Sequence, residues 1–153
     1  MTSRPSPSTT DLLDEQELRA WRGMLQVHAA VTRSLDAQMH AEHGLSVSAY
    51  EVLMFLADAP GQQLRMAEIA DRVLLSRSGL TRLVDRLVAH GLVVRNACAD
   101  DGRGSFAELT EAGRQKLEAA RRTHLAGVRE FFLERLTQDD QRALGDAWDR
   151  VLD

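Results

Sequence analysis

The sequence predicts a mainly α-helical fold with one small β-hairpin, and three observations lead there. Apolar residues recur every three or four positions over most of the chain. That period shortens in one place, at Leu92-Val93-Val94-Arg95 and at residues 105–109, on either side of the turn-forming Asp100-Asp101-Gly102-Arg103-Gly104. Serine, threonine and glycine fall where helices have to start and stop.

Taken in order, residues 1–10 are rich in Ser, Thr and Pro and read as a disordered tail with no apolar signal-peptide segment. From Asp11 to about His43, Leu18, Trp21, Leu25, His28, Thr32, Leu35 and Met39 form a seven-residue repeat on one long helix, which Gly44 stops. Ser46 or Ser48 caps a second helix, Ser48 having capping-box spacing to Glu51. Tyr50, Leu53, Met54 and Leu56 carry that helix to a turn at Pro60-Gly61. Residues 66–73 form a short helix. A second one opens at Ser76 and runs through Leu80, Leu83, Val84, Leu87 and Val88 to Gly91. Beyond the hairpin, Thr110 caps another long helix with Leu117, Ala120, His124, Val128, Phe131 and Phe132 on its apolar side. Thr137 caps a last helix bearing Leu144, Trp148, Val151 and Leu152.

Composition bounds the function. The chain has 153 residues and a formal charge of −4, enough length for a core without disulfides. Its apolar runs fall short of the roughly 18 residues of a membrane span. A single cysteine, Cys98, excludes an internal disulfide framework and fits a cytoplasmic setting. An acidic total argues against nucleic acid until it is divided along the chain. Between Arg72 and Arg95 stand five arginines and one acid, Asp85, a local +4 that leaves the remainder at −8.

A short helix, a turn, an arginine-bearing helix and a hairpin make up the plan of a winged helix-turn-helix. An α-helix fits the major groove when a preceding helix braces it. Residues 76–90 would span about 22 Å at 1.5 Å per residue, enough to lie in a groove. With the apolar residues facing inward, Ser76, Arg77, Ser78, Thr81, Arg82, Asp85 and Arg86 remain on the other face. The competing explanation, a merely solvated charged face, does not account for the adjoining hairpin with Arg103 at its tip. The expected division is a tail at 1–10, an N-terminal dimerisation helix at 11–45, a DNA-binding lobe at 46–110 and C-terminal dimerisation helices at 111–153.

Met66-x-Glu68-Ile69-Ala70, the run from Ser76 to Leu87, Gly91-Leu92-Val93, and Arg95 with Asp101-Gly102-Arg103 and Leu109-Thr110-x-x-Gly113 together resemble MarR-family transcriptional regulators. Gly44-Leu45-Ser46 fits as well. The resemblance covers residues 12–152. It implies a homodimer built by the terminal helices, and repression relieved by a small molecule or oxidant. Under it, Ser76, Arg77, Ser78, Thr81 and Arg82 meet bases and phosphates, as does Arg95, while Arg103 enters the minor groove and Asp101 supports the wing. Arg86 would pair internally with an acid such as Asp71. A two-fold dimer would read a pseudo-palindromic operator, joined through Leu12, Leu13, Leu18, Phe131, Phe132, Leu144, Trp148 and Leu152.

The resemblance also places effector pockets among the first, second and fifth helices. There Trp21, His28, Tyr50 and His124 are the polar or aromatic candidates for an aromatic or phenolic ligand, with ordinary core packing as the alternative. His40-x-x-His43 is short of ligands for a closed metal site, so no metal or cofactor is expected. Cys98 would sense oxidants only if Arg95 or Arg103 stabilised its thiolate. No phosphate loop, nucleophile elbow or zinc-protease helix points to an enzyme. The alternatives are a winged-helix module used only for protein contacts, or a metal- or redox-responsive regulator.

Overall fold

The structure, a computed structural model, describes residues 12–73, 75–97 and 104–153. The expected tail, Cys98, Asp101 and Arg103 lie outside them. The elements are α1 (Glu15–His43), α2 (Val47–Asp58), β1 (Gln63–Arg65), α3 (Met66–Val73), α4 (Arg77–Ala89), β2 (Val93–Ala97), β3 (Ser105–Leu109), α5 (Glu111–Phe131) and α6 (Gln138–Leu152). Short 3-10 turns lie at Pro60–Gln62 and Leu133–Arg135.

The expected helical fold with a hairpin is present, with one addition. The hairpin belongs to a three-stranded antiparallel sheet of order β1-β3-β2. Leu64 of β1 pairs with Ala107, and Val93 of β2 with Leu109. At three residues, β1 is too short to display a period of two in sequence; its partner strand makes it a strand.

Helix ends follow local chemistry. The Asp14 carboxylate accepts from the Glu17 amide while Glu17 reaches back to the Asp14 amide, and Gly44 closes α1 at φ 63°. Of the two serines that could cap α2, Ser46 does so, accepting from the Ala49 amide at 3.0 Å. The Asp36 carboxylate takes the Val47 amide at 2.9 Å, which fixes the entry of α2 against α1. Thr110 and Thr137 cap α5 and α6 as expected.

The core gathers α2, α3, α4, the sheet and the middle of α5 around Leu53, Leu56, Ile69, Leu80, Val84, Val93 and Leu117. Two contacts seat α5. The Thr110 hydroxyl accepts from the Gly113 amide and donates to the Gly91 carbonyl. Gly113 itself lies so close to β2 that a Cβ there would overlap the Leu92 carbonyl oxygen and come within 2.7 Å of Leu109 Cδ1.

Further along, α5 packs along α1. His43 Nε2 and Thr123 Oγ1 are hydrogen-bonded at 2.7 Å, and Thr123 donates to Glu42 at 3.0 Å. Gly127 lets α5 approach Leu35 and Gln38. Here the seven-residue stripe of α1 divides. Leu35 and Met39 are buried, whereas no residue from Glu15 to Ala30 is. Nor is any residue of α6.

Candidate nucleic-acid interface

The site is built on α4. Its Ser76 cap accepts from the Gly79 amide at 3.1 Å and leaves the amides of Arg77 and Ser78 at the helix start. Leu80, Leu83, Val84 and Leu87 turn into the core. That rotation leaves Arg77, Ser78, Asp85 and Arg86 exposed and Thr81 half-buried, its hydroxyl donating to the Arg77 carbonyl at 2.9 Å. Ser76 and Arg82 complete the set on the same helix, so the sequence-predicted contact residues of α4 share one outward face.

Arg95 behaves differently from its neighbours. It donates through Nη1 to Asp85 at 2.9 Å and through Nη2 to Ser105 at 3.1 Å. The guanidinium, carried by β2, thus joins α4 to both strands of the hairpin. Its charge is matched by Asp85, so the local +4 rests on Arg72, Arg77, Arg82 and Arg86. Arg86 is exposed and makes no ion pair with Asp71, because α4 turns it toward α5 and the end of α1 rather than toward α3.

Between α3, α4 and the sheet lies a recess of about 340 Å³ bordered by Arg65, Arg77, Thr81, Arg95 and Phe106. Arg65 stacks over the Phe106 ring at 5.1 Å and its amide is held by Glu68 at 2.9 Å. Sequence reasoning missed Arg65. Its only signal was a cation immediately before an acid-capped helix, and β1 supplies the rest. Arginines and a helix N-terminus on one side of the lobe can receive phosphates, with side chains left over for base edges.

The four effector candidates separate into two pairs. Tyr50 is buried, and its ring stacks on His124 with centroids 4.4 Å apart and planes at 24°. Trp21 is 54% exposed, and it and His28 lie on the half of α1 that has no buried residue. Gln38 Oε1, Arg121 Nε and His124 Nδ1 are buried without partners among the described residues. Burial pushes the Tyr50 phenol up and holds the His124 imidazole below its usual range.

The His124 shift has a testable sign. As pH falls below the unfolded histidine value of about 6.5, the unfolded chain takes up a proton that the folded chain resists, so stability is lost down to the depressed folded value. Replacing His124 with Phe keeps the ring stack and removes the titration. Melting temperatures between about pH 7.5 and 5, the window around that histidine value, are expected to fall less steeply in H124F than in the parent. Equal slopes would show that His124 does not carry the dependence.

Among known proteins, residues 43–104 match the model of the MarR family. The HTH-type transcriptional repressor YetL of Bacillus subtilis is 31% identical over 115 residues, covering 72% of this chain and 68% of that protein. Sco3205, a MarR family transcriptional regulator from Streptomyces coelicolor solved in complex with DNA, is 33% identical with a TM-score of 0.83 over 92% of both chains. AbsC, a MarR family regulator of the same organism, is 32% identical with a TM-score of 0.81, covering 92% of this chain and 95% of that one.

Proposed function

The chain belongs to the MarR family of DNA-binding transcriptional regulators, and on that premise we propose that it acts as a homodimeric repressor of a pseudo-palindromic operator, released by a small aromatic or phenolic ligand. The observation that carries DNA reading is the outward face of α4, where Ser76, Arg77, Ser78, Thr81 and Arg82 are presented together and the arginines form no ion pair among the described residues. Sco3205 was crystallised on DNA with the same fold. Arg95 enters this reading by holding the wing against α4. Arg103, expected to enter the minor groove, and Asp101, expected to support the wing, lie outside the described residues.

Dimerisation is supported by what the chain leaves uncovered. Trp21 and Leu25 on α1, and Val151 and Leu152 on α6, stay exposed at both ends of the chain. Val27, Val31, Phe131, Phe132 and Leu136 line an apolar recess of about 360 Å³ between α1 and the end of α5. Faces of this kind mark contact surfaces. For the effector, the support is the Tyr50–His124 stack and its unpartnered ring nitrogen, which lie where α2 of the DNA-binding lobe meets α5. Among the described residues no helix is long and apolar enough to cross a membrane.

Electrophoretic shift with the DNA flanking the chain's own gene tests the main reading. A specific shift is expected, and its absence with all flanking DNA would count against autoregulation. Replacing Arg77 with Ala should weaken operator binding roughly tenfold or more, a bidentate base contact being worth about 1–3 kcal/mol. If Arg77 meets only phosphate, the loss will be the same on every sequence and the salt slope will fall by about one. Unchanged affinity and slope would remove Arg77 from the interface.

A further inference from the structure

Arg65 is the last residue of β1 and the one nearest the hairpin tip, since its cross-strand partner is Phe106, next to the Ser105 that opens β3. Directly paired residues project from the same face of a sheet. The pairing sets the guanidinium beside the aromatic ring, its carbon 5.1 Å from the ring centroid. The backbone is fixed as well: α3 begins at Met66, and the Glu68 carboxylate accepts from the Arg65 amide at 2.9 Å. Glu68 thus engages the main chain of Arg65, whose side chain is exposed and forms no ion pair among the described residues.

The stack prepares this cation for an anion. An exposed arginine loses side-chain freedom when it makes a contact, and a ring against the guanidinium removes part of that loss beforehand. The N–H donors lie at the edge of the guanidinium plane, so a ring over one face leaves them available. Arg65 borders the recess that also carries Arg77 and Thr81 of α4 and Gly104 and Ser105 of the hairpin. No Asp or Glu borders it, and its third arginine, Arg95, is matched by Asp85. A helix in the major groove and a hairpin reaching the adjacent minor groove have one sugar-phosphate strand between them. Arg65 stands between α4 and the hairpin, where that strand would pass.

We propose that Arg65 is a DNA-backbone contact, holding a phosphate of the strand that runs between α4 and the hairpin, and that Phe106 positions it there. This role rests on the reading of α4 as the helix that meets DNA. A phosphate contact carries no sequence information, so Arg65 fixes where the duplex sits and leaves base reading to α4. Phe106 touches no DNA in this arrangement and acts through Arg65. Lysine at position 65 would supply the charge without the planar fork.

The test is a fluorescence-anisotropy titration of the full-length protein at several salt concentrations, with a duplex from the DNA flanking its gene and a scrambled duplex of equal length. Arg65→Ala should weaken binding to both by the same factor, about tenfold or more for a lost hydrogen bond to a charged group. The salt slope should fall by about one for each copy of the chain bound. Circular dichroism and melting should match the parent, because Glu68 holds the backbone at position 65 and not the side chain. Arg65→Lys should keep the parent's slope. Phe106→Leu should weaken binding less than Arg65→Ala does, and Phe106→Tyr should leave it unchanged. The double variant R65A/F106L should bind no more weakly than Arg65→Ala alone, as expected where one residue acts through the other. Parent affinity and slope in Arg65→Ala would overturn the proposal, and so would a loss confined to one duplex, which marks a base contact. A double variant weakened by the product of the two single losses would overturn the positioning role of Phe106. A parent that binds both duplexes alike would count against operator selectivity, while the slope would still report on Arg65. A parent that binds neither duplex would overturn both readings.

Discussion

Replacing Gly113 with alanine is expected to destabilise the protein by about 1–3 kcal/mol, the range for forcing an extra carbon into a packed site. In an open helical position the same change stabilises by up to about 1 kcal/mol, because alanine is the better helix former. The sign reverses here because the added carbon meets backbone. The Leu92 carbonyl it would strike already accepts the Thr110 amide at 3.2 Å, so relief requires moving α5 off the sheet. Gly145, on α6 with nothing within 4 Å of where a methyl carbon would stand, supplies the contrast. Thermal melts should show G113A below the parent by about 2–4 °C per kcal/mol and G145A at or above it. A G113A protein that melts with the parent would show that the close approach of α5 to β2 is not maintained in solution.

The second large effect concerns the uncovered helices. Leu25→Glu on α1 and Val151→Glu on α6 each place a charge on an exposed apolar face, Val151 being 74% exposed in the single chain. Neither residue is part of the core of the lobe, so helicity by circular dichroism should survive. Sedimentation should convert from dimer to monomer. Operator affinity should then fall by at least about a hundredfold, since joining two half-site readers raises affinity some 10² to 10⁴ times over one. A dimer that persists in both variants, with operator affinity intact, would place the interface elsewhere.

Much of this fold is legible in the sequence because its signals are local. Ser76, Thr110, Thr137 and Gly44 sit at helix ends where the backbone needs a side-chain acceptor or a left-handed residue, and the structure uses each of them in that role. Ser48 shows the limit of such signals. Its spacing to Glu51 suits a cap, but Asp36 and Ser46 together start α2 two residues earlier, and the Asp36 contact reaches across from α1 where no local pattern contains it. β1 is hidden for the same reason.

At the site, the outward face of α4 follows from rotation alone once Leu80, Leu83, Val84 and Leu87 are taken as buried. The partners of its charges do not, since Asp85 and Arg95 are ten residues apart on different elements. The stripe through Trp21 and His28 carries the right period, but periodicity does not say which molecule covers a face. It therefore could not separate those two residues from Tyr50 and His124, which the fold stacks together where α2 meets α5.

The bond between Asp85 and Arg95 has an electrostatic consequence for a polyanion. Asp85 is the lone carboxylate on α4, and Arg95 of β2 masks it. Any movement that draws the wing away from α4 separates this pair and leaves the carboxylate unmatched. The net charge of the α4 face then falls by one, from three unmatched arginines to three arginines against one acid, so a small displacement weakens its attraction for a polyanion.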